Sequence, residues 1–384
     1  MNSALGVAWQ QLSHQRVKLV AAAAGVVVAV MLMLVQLGIR TGAMESSVSF
    51  SRRINSDLVV VSPRTKSIFR SAQFPRRLLY RLPSDRDVQT VSEVYISLAQ
   101  WKNKWESIEH PISVYGIDPS RAMLELPGFS HQATTLQLAD HLIFDSLSRT
   151  NYGPVNDALR RQGTLETEVN GRRVKVFDSI AVGISINTDG NLYCSPTNFL
   201  RLFPDRPPGS IDLGLVKLAA GADADAVAKR LQPLLGAEAR IVTRQALVDA
   251  EIAYVRETAP IDFIFGMGAL VGFFIGFVVV YQILYTEVAN HLPQLATMKA
   301  MGFTDGYLLR LVLWQALILA ALGYLPGFAL AIGLYEVAEK QIQMQFSMTW
   351  ERALGVWIAT LSMCAISALI AVRKAWAADP ADVF

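Results

Sequence analysis

Phe263-Ile-Phe-Gly-Met-Gly-Ala-Leu-Val-Gly-Phe-Phe-Ile-Gly-Phe-Val-Val-Val-Tyr-Gln-Ile-Leu-Tyr-Thr286 runs without a charge between Asp262 and Glu287. A helix needs about 20 apolar residues to cross the hydrocarbon core of a bilayer, so the stretch predicts a membrane span. Three more uncharged runs lie outward from it, Leu19 to Ile39, Leu311 to Tyr335 and Ala353 to Val372, each closed by a charged residue at both ends. The order is therefore one span, a polar stretch of about 220 residues, then three spans. The first run is long and has no small-residue cleavage pattern before Arg40, so it reads as a retained anchor and not as a removable signal peptide.

Basic residues in short loops set orientation. Arg16 and Lys18 precede the first span, Lys299 and Arg310 lie between the second and third, and Arg373 and Lys374 follow the fourth. The loop between the third and fourth carries Glu336, Glu339 and Glu351 against Lys340 and Arg352. Both termini and the Glu287 to Arg310 loop are thus expected in the cytoplasm, with Thr41 to Ala259 outside. A hydrophobic fraction of 52% with 17% charged residues, and a mean hydropathy of +0.32, suit a membrane protein carrying one sizeable soluble domain. The net charge of +3 gives no case for nucleic acid, and Thr41 to Ala259 is nearly neutral, with 26 Lys and Arg against 24 Asp and Glu. Cys194 falls in the outer domain and Cys364 in the fourth span, so no disulfide joins them. The domain has to stand on its own core, which about 220 residues can supply.

Ala4 to Leu12, with Trp9, reads as a short interfacial helix or as a frayed terminus. Thr41 to Arg53 has no breaker and predicts a helical stalk that continues the first span, and Gln245 to Glu257 predicts a return stalk leading to Pro260. Between them, strands are expected at Asp57 to Ser62, Val91 to Leu98, Ile112 to Gly116 and Leu142 to Asp145, with a helical Thr135 to Ala139. A hairpin joins Leu165 to Val169 and Arg173 to Phe177 across Asn170-Gly171. Val216 to Leu218, a helix over Asp223 to Leu235 and Ala239 to Thr243 close an α+β domain. Ser195 is placed to cap a helix that starts at Pro196, and the four prolines of Asn191 to Asp212 suggest a subdivision between Asp140 and Ile211.

Catalytic signatures are missing. The chain has no Gly-x-x-x-x-Gly-Lys-Ser/Thr loop, His-Glu-x-x-His helix or Gly-x-Ser-x-Gly elbow. His14, His110, His131, His141 and His291 are scattered, and Ser195 is better explained as a cap than as a nucleophile, so neither a catalytic nor a metal residue is assigned. None of the spans carries an interior ionisable residue, which disfavours an ion-coupled transporter. The membrane half is more informative. Gly268, Gly272 and Gly276, with Gly266 just before, make a small-residue stripe that serves either helix association between copies or packing against the first span. Gly323 and Gly327 flank Pro326 and suggest a kink or local unwinding of the third span. In the loop, Pro293 can start a helix that Gly302 stops, offering Leu295, Met298 and Phe303 to a partner groove or to the membrane surface. Arg64, Lys66, Arg70, Arg76, Arg77, Arg81 and Arg86 form a basic stretch that suits a solvated face, anionic lipid headgroups or a partner protein.

The loop string Gln294-Leu-Ala-Thr-Met-Lys-Ala-Met-Gly-Phe303 resembles the coupling segment of the MacB and FtsX-like (type VII) ABC permeases, whose architecture is one span, a large outer domain and three spans. Five further strings look like the DevC permeases of heterocyst glycolipid export: Val280-Tyr-Gln-Ile-Leu-Tyr-Thr-Glu-Val-Ala-Asn-His-Leu-Pro293, Asn55-Ser-Asp-Leu-Val-Val-Val-Ser-Pro63, Tyr95-Ile-Ser-Leu-Ala-Gln-Trp-Lys-Asn103, Asn198-Phe-Leu-Arg-Leu-Phe-Pro-Asp-Arg206 and Asp379-Pro-Ala-Asp-Val-Phe384. The resemblance runs over essentially the whole chain.

It implies an α-helical membrane protein with four transmembrane helices plus an α+β periplasmic domain inserted between the first and second spans. The expected boundaries are 1–18 for a cytoplasmic interfacial helix, 19–40 for the first span and 41–259 for the periplasmic domain with its stalks. The second span follows at 260–286, the coupling segment at 287–310, the third span at 311–335, a short periplasmic loop at 336–352, the fourth span at 353–372 and the tail at 373–384. It further implies a homodimer in the inner membrane, served by a separate ABC ATPase (DevA-like) that binds ATP and magnesium, so that this chain is not an enzyme and holds no cofactor. A membrane fusion protein (DevB-like), a TolC-like outer-membrane duct and a lipid or glycolipid substrate complete the expected partners. In such relatives the spans form no channel, and motion passes through the stalks to the outer domains. The expected ATPase-coupling residues are Glu287, His291, Leu295, Met298, Lys299, Gly302, Phe303, Arg373, Asp379 and Pro380, with Gly266, Gly268, Gly272 and Gly276 for dimer or span packing. An FtsX-like subunit activating a periplasmic cell-wall hydrolase and a lipoprotein-extracting permease share the layout.

Overall fold

A computed structural model describes residues 4–14, 16–121, 123–126, 129–184, 188–207, 209–291, 293, 297, 301–302, 304–342 and 347–376. The helices are α1 (Ala4–His14), α2 (Arg16–Ser47), α3 (Ser49–Arg52), α4 (Arg76–Leu79), α5 (Ala133–Leu136), α6 (Val155–Gln162), α7 (Pro196–Leu202), α8 (Ala224–Leu235), α9 (Arg244–Thr258), α10 (Ile261–Asn290), α11 (Asp305–Ile342) and α12 (Trp350–Trp376). The strands are β1 (Leu58–Val61), β2 (Phe74–Pro75), β3 (Val88–Lys102), β4 (Glu109–Ile117), β5 (His141–Asp145), β6 (Leu165–Val169), β7 (Arg172–Ile180), β8 (Asn191–Cys194), β9 (Ser210–Ile211), β10 (Leu213–Leu218) and β11 (Arg240–Thr243). The chain divides into two compact units, one of residues 1–42, 260–340 and 346–384, the other of residues 43–259 with 341–345.

In the first unit, α2, α10, α11 and α12 are each long and apolar enough to cross a membrane. Their outward faces carry Phe263, Met267, Val271, Phe274, Leu325, Leu330 and Ile358, each between about 44% and 68% exposed, a density of apolar surface that a water-facing protein does not tolerate. Helix α2 supplies Val26, Ala29, Val30 and Leu34, all fully buried, to the apolar core of this unit. Gly323 and Gly327 of α11 lie against Ala23, Val26, Val27 and Val30, close enough that an added Cβ would stand 2.4 Å from the Val26 side chain. Helix α11 is helical throughout, so the local unwinding expected at Pro326 does not occur; the two glycines set close helix contact instead. Arg40 pairs with Asp262 at 2.6 Å, Ser367 Oγ donates to the Phe277 carbonyl at 3.0 Å, and Tyr335 donates to the Leu34 carbonyl.

The second unit is built on a sheet that, among the described residues, has the order β11-β1-β10-β3-β4-β8-β5-β7-β6. Its pairs are antiparallel except β4–β8 and β5–β7. The long β3 also meets β6 through Trp101–Val169 and Lys102–Glu168, so six strands close into a ring. The subdivision expected near Asp140 and Ile211 is therefore not a break, because β5 to β8 enter the same sheet. Leu58 and Val60 of β1 face one apolar cluster and Val59 and Val61 face the other, which is why that strand reads as a continuous apolar run.

Local chemistry fixes the joints. Asn170 and Gly171 both take positive φ, 50° and 70°, and make the two-residue β6–β7 turn. Ser195 Oγ accepts from the Asn198 amide at 3.3 Å with Pro196 at the first helical position, and Asp223 caps α8 in the same way. Helix α2 ends at Ser47 and α3 follows as a separate turn. The return stalk is helical where expected, and it ends before the next helix begins. Ala259 adopts φ −122°, ψ 119° before Pro260, so α9 and α10 are two helices and not one, as the crowding of the residue before a proline dictates. Cys194 and Cys364 are both buried and unpaired, one in each unit.

Candidate functional site

Helix α10 continues beyond the apolar run to Asn290 and carries Glu287 on its last turn, with His291 four residues on at its C-cap. Glu287 is 6% exposed and its Oε1 lies 3.1 Å from His291 Nε2. A carboxylate near a helix C-terminus sits against the negative end of the dipole, so a nearby partner is what makes its burial tolerable. Glu287 also lines a cavity of about 360 Å³ with Lys18, Ala21, Val279, Gln282, Ile283 and Thr286. An exposed cation and a buried carboxylate thus share one apolar-walled recess where α2 begins and α10 ends. Beyond it, Thr297 Oγ1 donates to the Pro293 carbonyl at 2.8 Å and the Met301 amide to the Thr297 carbonyl at 2.9 Å, and Gly302 takes φ 91°. That is the left-handed conformation a helix-stopping glycine supplies. Arg373 is exposed near the end of α12. Leu295, Met298, Lys299, Phe303, Asp379 and Pro380 lie outside the described residues.

The glycine stripe faces inward. Cβ atoms added at Gly268, Gly272 and Gly276 would meet Gln36, Met33 and Ala29 of α2 at 2.6, 3.2 and 2.7 Å, and at Gly276 also Met363 of α12 at 2.7 Å. Gly266 has nothing within 4 Å. Three of the four residues therefore bring α10 onto the first span of the same chain.

Among the recesses that the described residues form, two larger ones were not foreseen. One, of about 660 Å³, lies between α11 and α12 and is lined by Tyr324, Phe328, Met348, Trp350 and Trp357, with Tyr324 OH donating to the Ala353 carbonyl at 2.8 Å. Its only sequence signal was the Tyr324 and Phe328 spacing on one helical face. The other, of about 480 Å³, is a polar cleft in the second unit, lined by residues drawn from Phe69 to Asp212.

Among the described residues the second unit buries carboxylates at three places. Glu251 of α9 is 2% exposed, accepts from the Ile68 amide at 2.9 Å and from Ser51 Oγ, and burial pushes its carboxyl up to about 7. Asp145 accepts from Asn191, Leu147, Val182 and Gly183, while burial raises it. Asp212 pairs with Arg206 at 2.6 Å, and burial outweighs the guanidinium to raise it as well. Asp140 is instead held well below the carboxylate range by Arg201 and Arg172. In the basic stretch, Arg76, Arg77 and Arg86 pair with Glu93, Glu238 and Asp87, the behaviour of a solvated face. Among the described residues no group of three or more His, Cys, Asp or Glu could hold a metal ion.

Residues 266–380 match the FtsX-like permease C-terminal family. The matched segment begins within α10 and includes α11 and α12. No curated protein matches the chain. Solved structures similar to it include the periplasmic region of MacB from Actinobacillus actinomycetemcomitans, 15% identical over 54% of this chain and 96% of that one, with a TM-score of 0.36. The extracellular domain of the noncanonic ABC-type transporter YknZ from Gram-positive bacteria is 11% identical over 49% of this chain and 100% of that one, with a TM-score of 0.33. A domain of a putative permease from Porphyromonas gingivalis is 10% identical over 49% and 89%, with a TM-score of 0.30.

Proposed function

We propose that this chain is the permease subunit of an ATP-driven exporter, the membrane partner of a separate ABC ATPase, and that it passes ATPase motion to an outer domain instead of conducting cargo through its spans. The observation that carries the reading is the FtsX-like match over 266–380, in a chain with four helices long and apolar enough to cross a membrane. The ATPase docks on the segment from Glu287 to Phe303, with Arg373, Asp379 and Pro380 of the tail. The Glu287–His291 pair and Lys18 give that docking surface a charged base. Both termini and this segment face the cytoplasm, residues 41–259 face the periplasm, and the protein resides in the inner membrane. Two copies assemble through the lipid-facing sides of α2 and α10, where Val28, Phe263, Met267 and Phe274 are exposed, since the glycine side of α10 is occupied within the chain. A membrane fusion protein and a TolC-like duct carry a glycolipid or other amphiphile onward, as in DevC systems.

Purification of the full chain from its native membrane in mild detergent tests this. Recovery of an ATPase with a fusion protein is expected. Recovery of an ATPase with a cell-wall hydrolase, and no fusion protein, would replace export by regulation.

A further inference from the structure

One edge of β3 is open for part of its length. Strand β10 pairs with it as far as Val94, opposite Leu213, and β6 meets it again at Trp101 and Lys102. The residues just before Asp212 belong to β9, which pairs with β2. Among the described residues no strand lies along this edge at positions 95–100, a gap of about 20 Å at the usual strand rise.

In an antiparallel strand each residue turns its N–H and C=O to the same edge, and successive residues alternate. The Val94 carbonyl accepts from the Asp212 amide at 3.2 Å and the Gln100 carbonyl from the Asn170 amide at 2.9 Å, both on this edge, so the even-numbered residues between them face it too. The Ile96 amide is taken by the Asp212 carboxylate at 2.7 Å and the Gln100 amide by Asn170 Oδ1 at 2.8 Å. On the other side, Ser113 stands opposite Leu98, but its amide donates to the Gly190 carbonyl at 3.0 Å and not to β3. The N–H and C=O of Leu98 and the C=O of Ile96 are therefore directed into the gap, with no partner among the described residues. The polar cleft of about 480 Å³ opens on this stretch, lined by Ile96, Ser97 and Leu98 together with Phe69, Arg70 and Gln73. The Leu98 side chain is 57% exposed.

Charge narrows the occupant. Phe69 and Arg70 belong to the segment 62–73, which has three cations and no carboxylate. Thr65 Oγ1 closes it into a loop by bonding the amide and the carbonyl of Ala72 at 3.1 and 3.3 Å. Arg64, Lys66 and Arg70 are exposed and, unlike Arg76, Arg77 and Arg86, have no ion pair among the described residues. The carboxylate in the lining, Asp212, is already neutralised by Arg206 at 2.6 Å, which leaves Arg70 as the cleft's uncompensated charge. A small anion answers Arg70 and the Leu98 N–H but offers nothing to the two carbonyls, which need N–H donors. An extended peptide backbone supplies donors and acceptors at strand spacing.

We infer that the open edge of β3 is a docking site for an extended, acidic segment of a partner protein, which adds as a short strand. Its backbone exchanges hydrogen bonds with Leu98, an apolar side chain lies beside Leu98 and Phe69, and its carboxylates meet Arg70, Lys66 and Arg64. The inference requires only the second unit and stands apart from the exporter reading.

The test uses the full chain in phosphatidylcholine nanodiscs and a fluorescent acetyl-Glu-Val-Glu-Val-Glu-amide, followed by anisotropy and by hydrogen exchange of the fragment that contains Leu98. Saturable binding is expected, with the Leu98 amide exchanging freely before the peptide is added and at least tenfold more slowly after. The same peptide with every backbone amide methylated should bind at least tenfold more weakly, and acetyl-Lys-Val-Lys-Val-Lys-amide should not bind. Arg70→Glu should weaken binding at least tenfold with the thermal midpoint of wild type, since the side chain is exposed. Absence of saturable binding, equal binding of the methylated peptide, or unchanged affinity in Arg70→Glu would overturn the assignment. So would displacement by inorganic phosphate at constant ionic strength, which marks a plain anion site, or a Leu98 amide already protected in the free chain, as a second copy seated on the edge would make it.

Discussion

The two units of this chain hold together by opposite means. In the second, apolar side chains are separated from water by a sheet covered on both faces, and Trp101, Tyr115, Tyr152 and Tyr193 are 2% exposed or less. In the first, apolar surface is abundant inside and out. Phe274 is 54% exposed while Ala29, one layer inward, is fully buried. A bilayer is as apolar as leucine, so hydrophobicity cannot tell the helices which faces to join. Shape does it instead: glycines on α10 and α11 are the places where neighbouring helices approach, with Arg40–Asp262 and Ser367 adding polar links. Large side chains thus specify one unit and missing side chains the other.

This contrast can be broken at several depths. The largest effect is expected from Trp101→Ala, which empties a fully buried site whose indole Nε1 donates to the Tyr152 carbonyl at 3.3 Å. It should cost about 3–5 kcal/mol in urea unfolding followed by far-UV dichroism. A loss below about 1 kcal/mol would mean that the ring of strands does not depend on this side chain.

Glu251 comes next. Its carboxyl is raised from 4.5 to about 7, so between those values the folded state holds a proton that the unfolded state has released. Stability therefore falls as pH rises through that window, and the penalty is complete above about pH 7, up to about 3 kcal/mol. Glu251→Gln can still accept from the Ile68 amide, so it should flatten the pH profile between 5 and 8 and be the more stable protein at pH 8. A wild-type profile already flat over this range would show that Glu251 is not held neutral.

The membrane unit gives the third comparison. Gly276→Leu forces a side chain into Ala29 and Met363 and should cost about 1–3 kcal/mol in detergent, whereas Gly266→Leu, which meets nothing within 4 Å, should change little. Equal effects at both positions would remove the case for shape-specific packing.

What the sequence disclosed follows the same division. The β1 run between Asp57 and Pro63, the Asn170-Gly171 turn and the Ser195-Pro196 cap are local chemistry, and each was legible. Strand β8 was not, because Asn191-Leu-Tyr-Cys has no alternation and pairs in parallel with β4, about 78 residues earlier in its register. Helix α6, short and polar apart from Val155, Ala158 and Leu159, was also missed. At the candidate site the Glu287 and His291 spacing of one turn could be read directly, while Lys18 joins them only through the packing of α2 on α10. The cleft around Arg206 assembles residues from 69 to 212 and left no local trace.

The coupling role assigned to the Glu287 to Phe303 segment is tested most directly by ATP hydrolysis. The full chain is reconstituted with the ATPase that co-purifies with it, and the rate is compared for wild type, Glu287→Lys and Leu295→Asp. Stimulation by the wild-type chain is expected, with both variants inserting normally and losing most of it, at least fivefold. Full stimulation by either variant would contradict the docking of the ATPase on this segment.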